Sequence, residues 1–117
     1  MKYMLLICDD PSAGPTSAAD GEKVLAEYGA FTHAIVESKE MVAGERLRGV
    51  DAATSVRVRA GKTGVVDGPF AETREHLGGF YLVDVSNLDR AIELAAKIPA
   101  ARDGVIEVRP VWEMGED

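Results

Sequence analysis

A short charged turn near the middle of the sequence holds the residues best suited to chemistry. It follows two strand-like valines and contains, in order, Asp67, Gly68, Pro69, Phe70, Glu72, Arg74 and Glu75. A carboxylate at a strand end, followed by glycine and proline, is held in a fixed direction by the turn. Asp67 is therefore the first candidate for a catalytic or ligand-binding residue. The alternative is that its carboxylate accepts backbone hydrogen bonds and shapes the loop.

The three residues after Asp67 are expected to shape the same site. Gly68 supplies an unusual φ angle and a close approach of the backbone, and Pro69 makes the bend rigid. Phe70 either packs in the core or forms the wall of a pocket. All three are therefore grouped with the ligand-binding candidates.

Basic side chains are predicted on the strand that precedes this turn. A Ser-Val-Arg-Val-Arg run alternates so that the valines lie on one face of a strand and two arginines on the other. Arg57 and Arg59 are positioned either to meet the carboxylates of Glu72 and Glu75 or to bind an anionic ligand. Arg74 can pair with the same glutamates, as in a solvated loop.

The sequence has two histidines, and either could complete an acid/base pair with Asp67. His76 is nearer along the chain, directly after Glu75. His33 lies on a predicted helix with Glu37 as its i+4 neighbour, which favours a surface position. The catalytic hypothesis therefore consists of Asp67 with His33 or His76.

Several common catalytic and cofactor sites are excluded by spacing. The sequence has no cysteine pair, no His-x-x-x-His, no Gly-x-x-x-x-Gly-Lys-Ser/Thr loop and no Gly-x-Ser-x-Gly. We therefore expect no metal and no cofactor. Gly61-Lys62-Thr63-Gly64 imitates part of a phosphate loop, but it lies between strands instead of opening a helix, so a hairpin turn is predicted there.

The first part of the chain is predicted to form a strand and a long helix. Residues 3–8 are an apolar run typical of a central strand buried on both faces. Ser17 or Asp20 can accept the first amide hydrogen bonds of a helix that runs to about residue 40. Its apolar residues recur at helical spacing: Val24, Tyr28, Phe31 and Ile35.

The rest of the chain is predicted to form strands and a second helix. The strands are expected at residues 45–48, 55–59, 65–66, 80–85 and 105–112. Pro110 removes a hydrogen-bond donor and places the last strand at an edge or a bulge. Ser86 or Asn87 can cap the second helix, which Pro99 stops. Its predicted buried face comprises Leu88, Ala91, Ile92 and Ala95.

This order of elements predicts an α+β fold of the ferredoxin-like type, β-α-β-β-α-β with an added hairpin. Two helices cannot cover both faces of such a sheet, so they are expected together on one side. A second copy of the chain is the simplest cover for the other side, and symmetric pairs are the commonest oligomers. The sequence therefore predicts a homodimer packed sheet against sheet.

Composition restricts the environment and the partners. The chain has 117 residues and a net charge of −7, which predicts one domain over residues 1–114 with an acidic tail over 115–117. The acidic excess argues against nucleic acid and anionic membranes as partners. The single cysteine, Cys8, cannot form an intrachain disulfide, and no apolar run is long enough for a membrane span or a signal peptide. We expect a cytoplasmic protein.

The ordered set of motifs resembles the YCII-related (YciI-like) family and its DGPF subgroup. The resemblance rests on Ala30-Phe31, Ala43-Gly44-Glu45, Asp67-Gly68-Pro69-Phe70, Gly78-Gly79-Phe80 and Glu107-Val108-Arg109-Pro110. It implies a dimeric α/β barrel, in which two ferredoxin-like sheets pack face to face. The YciI branch is proposed to be enzymatic through a His-Asp pair, and DGPF members often accompany alternative sigma factors.

Two functional hypotheses follow from these observations. In the first, a homodimer binds a small, possibly anionic molecule in a cleft bordered by the charged turn, with proton transfer by Asp67 and a histidine. In the second, the protein is a non-enzymatic accessory module, and the turn orders the dimer or contacts a regulator of a sigma-factor or stress-response system. A cavity that holds Asp67 beside a histidine would favour the enzyme.

Overall fold

The structure is a computed structural model that describes residues 1–10, 12, 17–69 and 74–115. Along this part of the chain the strands and helices are β1 (Lys2–Asp9), α1 (Ala18–Glu37), β2 (Met41–Arg46), β3 (Thr54–Arg59), β4 (Lys62–Asp67), β5 (His76–Asp84), α2 (Leu88–Lys97) and β6 (Val105–Pro110). Short 3-10 turns lie at Val50–Ala52 and Pro99–Arg102.

Four of the strands form an antiparallel sheet in the order β2-β5-β1-β6. The strand β1 lies at its centre, where Leu5 is opposite Tyr81 of β5 and Val108 of β6. The strand β6 lies at an edge, as Pro110 predicted. This α+β arrangement, with its antiparallel sheets and two helices, is compatible with the predicted ferredoxin-like plan.

The hydrophobic core lies between the helices and one face of this sheet. It comprises Tyr3, Leu5, Ile7, Phe31, Ile35, Tyr81, Val83, Val85, Ala91, Leu94, Ala95 and Ile98. Because buried residues of α1 and α2 belong to the same cluster, both helices pack on the same face of the sheet. The alternation of buried and half-buried residues along β1 follows from this one-sided cover. In the single chain the face that carries Met4 and Leu6 is half-buried, so the prediction that β1 is buried on both faces is met only on the side of the helices.

The helix α1 has defined caps at both ends. The hydroxyl of Ser17 accepts a hydrogen bond from the Asp20 amide, which confirms one of the two predicted N-caps. At the other end the amides of Lys39 and Glu40 donate to the carbonyls of Val36 and Ile35. Lys39 has φ 63°, so the helix ends in a Schellman motif without the usual glycine.

The C-terminal end of α1 is joined to α2 by an ion pair. The Arg90 guanidinium donates to both carboxylate oxygens of Glu40, at 2.9 and 2.8 Å. Ser38 donates a further hydrogen bond to Glu40. These contacts hold the pKa of Glu40 at about 2, chiefly through the hydrogen bond from Arg90. Arg90 lies in the first turn of α2, which Asn87 caps, so the pair fixes the start of one helix against the end of the other.

The strands β3 and β4 form a separate two-stranded sheet. We call residues 54–67 the arm. Its strands are paired from Thr54 opposite Asp67 to Arg59 opposite Lys62. Ala60 and Gly61 have φ 52° and 75° and form a two-residue turn of the kind that suits the twist of a hairpin. The turn therefore lies one residue before the predicted Gly61–Gly64 segment.

Three further expectations about the elements were wrong. The second strand begins at Met41, well before residue 45, and the last ends at Pro110. In α2 the buried residues are Ala91, Leu94 and Ala95, whereas Leu88 and Ile92 are exposed. The face of α2 that packs on the sheet thus includes Leu94 and is rotated away from the predicted Leu88 and Ile92. No helix in the described residues is long and apolar enough to cross a membrane.

Candidate functional site

A cleft of about 900 Å³ lies between α1 and the four-stranded sheet. Its walls come from α1, from the strands β1, β2 and β5, and from the 3-10 turn at Pro99–Arg102. The apolar side chains in the lining are Ile7, Val24, Leu25, Met41, Tyr81, Pro99 and Ala100. Its size falls in the range of about 300–1,000 Å³ that is usual for sites of small molecules.

Glycines in two neighbouring strands shape the sheet side of the cleft. A Cβ atom at Gly79 of β5 would lie 2.8 Å from the backbone oxygen of Glu45 in β2. A Cβ atom at Gly44 would lie 3.0 Å from side-chain atoms of both Met41 and Tyr81. Glycine in a strand often marks a place where another backbone or a ligand approaches closely. Glycine at these two positions therefore allows close packing between β2 and β5 beside the cleft.

Three hydroxyl groups line the inner part of the cleft. The Tyr81 hydroxyl and Thr32 Oγ1 are hydrogen-bonded at 2.8 Å, and the Tyr81 ring packs edge-on against Phe31 with centroids 5.1 Å apart. Tyr28 lies on the same side of α1 and is half-buried. Burial raises the pKa of its phenol, so Tyr28 remains a protonated hydrogen-bond donor at neutral pH.

Charged side chains surround these hydroxyls, and most are acidic. The acidic residues of the lining are Asp9, Asp10, Asp20, Glu45 and Asp103, whereas the basic ones are Arg46 and Arg102. Arg102 is engaged already, because its guanidinium donates to both oxygens of Glu27 on α1 at 2.7 and 3.1 Å. The electrostatic potential in the cleft should therefore be negative.

One residue connects the cleft with the far end of the charged turn. Asp10 lies in the lining, and one of its carboxylate oxygens is 3.8 Å from Nε of Arg74. Hydrogen bonds from the Ser12 hydroxyl and amide, followed by the charge of Arg74, lower the pKa of Asp10. Asp10 is thus ionised at neutral pH and provides the nearest described contact between the turn region and the cleft.

The start of the charged turn is anchored to the base of the arm. The Gly68 amide donates to the Ala53 carbonyl at 2.7 Å, and the Ser55 hydroxyl donates to the Gly68 carbonyl at 2.7 Å. Gly68 has φ 99°, the unusual angle that was predicted for it. The predicted close approach of the backbone was wrong, because a Cβ atom at Gly68 would meet nothing within 4 Å among the described residues. Asp67 is exposed at the end of β4, and in the described start of the turn the anchoring hydrogen bonds are those of Gly68.

Comparison with known sequences identifies the family of this chain. The sequence model of the YCII-related domain matches residues 1–115. The chain is also 39% identical over 114 residues to an uncharacterized protein of Rhizobium meliloti (strain 1021), an alignment that covers 95% of this chain and 92% of the relative. The chain belongs to the YCII-related family. The resemblance drawn from the ordered motifs is thereby confirmed.

In this YCII-related protein the two histidines lie apart from Asp67. His33 is exposed on α1, with Nε2 3.7 Å from the Glu37 carboxylate, which confirms its predicted surface position. His76 begins β5, where its strand neighbour is Asp9. Among the described residues Asp67 forms no ion pair with either histidine, and the cleft lining includes none of these three.

The arginine candidates are likewise outside the cleft lining. Arg57 and Arg59 are exposed on the arm, and the Arg59 guanidinium donates to the neighbouring Val58 carbonyl. Pro69 and Glu75 are exposed. Phe70 and Glu72 lie outside the described residues. The predicted ligand-binding set is therefore divided between the arm and the segment near Asp10.

The free thiol of Cys8 lies on the side of β1 that faces away from the helices and is half-buried. Burial, followed by the negative charges of Glu107, Glu75 and Asp9, raises its thiol pKa. A protonated thiol in this half-buried position is a packing group. The part of the chain that the structure describes holds no group of three or more His, Cys, Asp or Glu side chains arranged for a metal ion.

The sequence analysis missed most residues of the cleft. Tyr28 was predicted only as part of the apolar face of a helix, and Thr32, Asp9 and Asp10 were not among the candidates. The available signal was glycine in strand contexts, at Gly44 and Gly78-Gly79, because such positions often border a ligand.

Proposed function

We propose that this YCII-related protein binds a small neutral or cationic molecule in the cleft between α1 and the four-stranded sheet. The observation that supports this most directly is the cavity of about 900 Å³ with a mainly apolar wall and a few convergent polar groups. Tyr28, Thr32 and Tyr81 supply hydroxyls that can orient a ligand. A binding function requires no contact between Asp67 and a histidine.

The charge of the cleft decides the class of ligand in this proposal. The acidic side chains in its lining outnumber the basic ones, and one of the two arginines is paired with Glu27. Bringing an anion among several carboxylates is costly, whereas a cation gains from the same field. We therefore favour an amine-bearing or uncharged molecule over the anionic one that the exposed arginines of the sequence suggested.

A thermal-shift screen of wild type beside two isosteric variants tests the proposal. Asp9→Asn removes one charge from the cleft lining, and Asp67→Asn removes the same charge from the arm. A ligand at about 100 times its Kd stabilises a protein by about 2.7 kcal/mol, which gives a rise in Tm of several degrees. We expect a cationic or neutral compound to raise the Tm of wild type and of Asp67→Asn, and to have a reduced effect on Asp9→Asn.

The other outcomes are informative as well. If a compound raised the Tm of Asp9→Asn but not of Asp67→Asn, the result would indicate that the ligand binds at the charged turn. If carboxylates or phosphates gave the largest rises in Tm, the argument for a neutral or cationic ligand would be overturned. A library that shifts neither the wild type nor the variants would count against small-molecule binding and in favour of the accessory role.

We also propose that two copies pair through the face of the four-stranded sheet that carries no helix, to give the dimeric α/β barrel that the family resemblance implies. This face carries Met4, Leu6, Phe80 and Leu82, which are half-buried. Glu45, Glu107 and Arg109 of the edge strands flank these residues on the same face. A face with an apolar centre and a charged rim is a candidate for association. Sedimentation analysis at micromolar concentration tests the pairing, and a stable monomer would contradict it.

A further inference from the structure

The acidic residues in the lining of the cleft are not equivalent. Asp10 already accepts two hydrogen bonds, Glu45 lies on the helix-free face of the sheet, and Asp20 and Asp103 are exposed. Asp9 is half-buried, and within the described residues its carboxylate accepts no hydrogen bond and forms no ion pair. It is therefore the acid of the lining that is most accessible to a charged group of a ligand.

Asp9 is positioned by glycines on two sides. A Cβ atom at Gly104 would collide with the Cys8 carbonyl and would lie 3.0 Å from Cβ of Asp9, so the segment before β6 packs directly on the Asp9 backbone. The pairing of β1 with β5 skips Gly78, which forms a bulge, and bulges are frequent beside active sites, where they redirect side chains. A Cβ atom at Gly78 would lie 3.4 Å from Oδ1 of Asp9. The carboxylate therefore lies against β5.

Arg46 lies on the other side of β5 from Asp9. It is opposite Gly79 of β5, which in turn is opposite Ile7 of β1. Ile7 belongs to the core beneath the helices, and residues directly opposite each other share a face of the sheet, so Arg46 is on the side of the cleft. It forms no ion pair with any described residue, whereas Arg102 is already paired. Arg46 is therefore the basic residue of the lining that is open to a ligand.

The phenol of Tyr28 lies close to both of these charges. Tyr28 is in the cleft lining, and burial raises the pKa of its phenol, with smaller opposing effects from the negative charge of Asp9 and the positive charge of Arg46. Such effects require proximity. Adjacent strands are about 4.8 Å apart, so the backbones of β1 and β2, on either side of β5, are separated by about 10 Å. The long side chain of Arg46 closes much of this distance, so one small molecule can contact all three groups.

We propose that the ligand of the cleft is a zwitterionic amino acid, with its ammonium group on Asp9 and its carboxylate on Arg46. A guanidinium donates two parallel hydrogen bonds to a carboxylate, and the apolar wall at Val24, Leu25 and Pro99 suits an aliphatic side chain. A molecule of net charge zero brings a carboxylate into the negative cleft together with its own compensating charge. This inference rests on the proposed binding function of the cleft and adds the class of ligand.

Three compounds of similar shape test the two charges separately. L-leucine carries both charges, L-leucinamide keeps only the ammonium group, and isocaproate keeps only the carboxylate. NMR titration of the whole chain at neutral pH follows the backbone amide signals, including those of Gly78 and Gly79 in the cleft lining, and gives a Kd for each compound. We expect L-leucine to bind about tenfold or more tightly than either analogue, because each analogue loses one hydrogen-bonded charge pair.

Crossed effects in two variants identify the partner of each charge. Asp9→Asn should raise the Kd of L-leucine and L-leucinamide about tenfold or more without weakening isocaproate, and Arg46→Gln should weaken L-leucine and isocaproate by a similar factor without weakening L-leucinamide. The matched controls Asp67→Asn and Arg48→Gln remove the same charges from exposed residues outside the cleft lining and should leave all three Kd values unchanged. Amide spectra that resemble the wild-type spectrum establish that the variants remain folded.

The outcomes separate this inference from the binding function on which it rests. If either analogue bound as tightly as L-leucine, or if the two variants bound all three compounds as wild type does, recognition of a zwitterion would be overturned. If none of the three bound, while compounds from the thermal-shift screen still depended on Asp9, the zwitterion would be overturned and the cleft would remain a binding site. If the screen also found no compound, both proposals would fall.

Discussion

The strand β1 of the four-stranded sheet is an apolar run, whereas β3 of the arm alternates valine with arginine, and the two strands differ in what covers their apolar residues. In β1 the alternate residues Tyr3, Leu5 and Ile7 are buried beneath two helices. In β3 the alternate residues Val56 and Val58 are exposed. The comparison shows that alternation specifies a strand and its two faces, whereas the cover of a face depends on which elements the chain brings to it.

The two sheets also differ in how closely their strands are constrained. Gly79 lets β5 approach β2 so closely that a Cβ atom would be 2.8 Å from a backbone oxygen, whereas a Cβ atom at Gly64 of the arm would lie at an ordinary 3.7 Å. The body of the protein therefore depends on specific residues, and the arm tolerates changes as long as its surface chemistry is kept. Substitutions matched between the two sheets can test this difference.

The largest contrast is expected for the same truncation in each sheet. Val83→Ala removes two methyl groups from a side chain that is fully buried, which should lower the free energy of unfolding by about 2–3 kcal/mol. Val58→Ala in the arm should change it by less than about 0.5 kcal/mol. Urea denaturation at a concentration where the protein is monomeric measures both. Equal effects would mean that the arm is part of the folded core.

A second contrast compares substitutions at one glycine of each sheet. Gly79→Ala should destabilise the protein by about 1–3 kcal/mol, because the added methyl group meets the backbone of β2. Gly64→Ala should change stability by less than about 1 kcal/mol, since its Cβ atom has room and alanine suits a strand interior better than glycine. Thermal unfolding of the two variants provides the comparison. A neutral Gly79→Ala would show that β2 and β5 can separate without cost.

The ion pair of the body gives a prediction for acid stability. The pKa of Glu40 is depressed to about 2 in the folded protein from an ordinary value of 4.5. A depressed folded-state pKa contributes stability above the unfolded value, and this contribution is lost as the pH falls from about 4.5 to 2. Stability should therefore fall less steeply over this interval in Glu40→Gln than in wild type.

The control for this acid effect is Glu22→Gln, which changes an exposed glutamate on α1. Urea denaturation at several pH values between 2 and 6 gives the slope for each variant. If Glu40→Gln and Glu22→Gln changed the slope equally, the hydrogen bonds from Arg90 and Ser38 would contribute nothing special to Glu40.

The smallest effect is expected at the tip of the arm. Ala60 has φ 52°, a conformation that asparagine adopts more readily than alanine. Ala60→Asn should stabilise the turn by about 0.5–1 kcal/mol, which slower amide exchange in the arm would reveal. Unchanged exchange would indicate that the tip does not limit the stability of the arm.

Local signals in the sequence predicted the framework well. Ser17 and Asn87 cap their helices as expected, and Phe31 and Ile35 are buried on the predicted face of α1. These succeed because capping and periodicity act over a few neighbouring residues. The phase of α2 and the start of β2 were predicted less well, because they depend on how the elements pack.

The candidate site was harder to predict than the framework. The charged turn was recognised, and Gly68 has the conformation that its type suggested. The cleft, however, joins Asp9 and Asp10 from the first strand to Thr32 and Tyr81, which are far apart along the chain. No local spacing relates such residues. Candidates chosen from residues close together in the sequence therefore lie mainly on the arm.

The sequence by itself determined the family, the order of most elements and the two-faced character of the arm, because each of these follows from motifs or from alternation over short stretches. The placement of both helices on one face of the sheet agrees with the prediction. Only the tertiary structure decided that a cleft remains beside Gly44 and Gly79 and that the valines of the arm stay exposed. The physical reason is that cover and cavities arise from distant segments in contact, which a linear pattern does not specify.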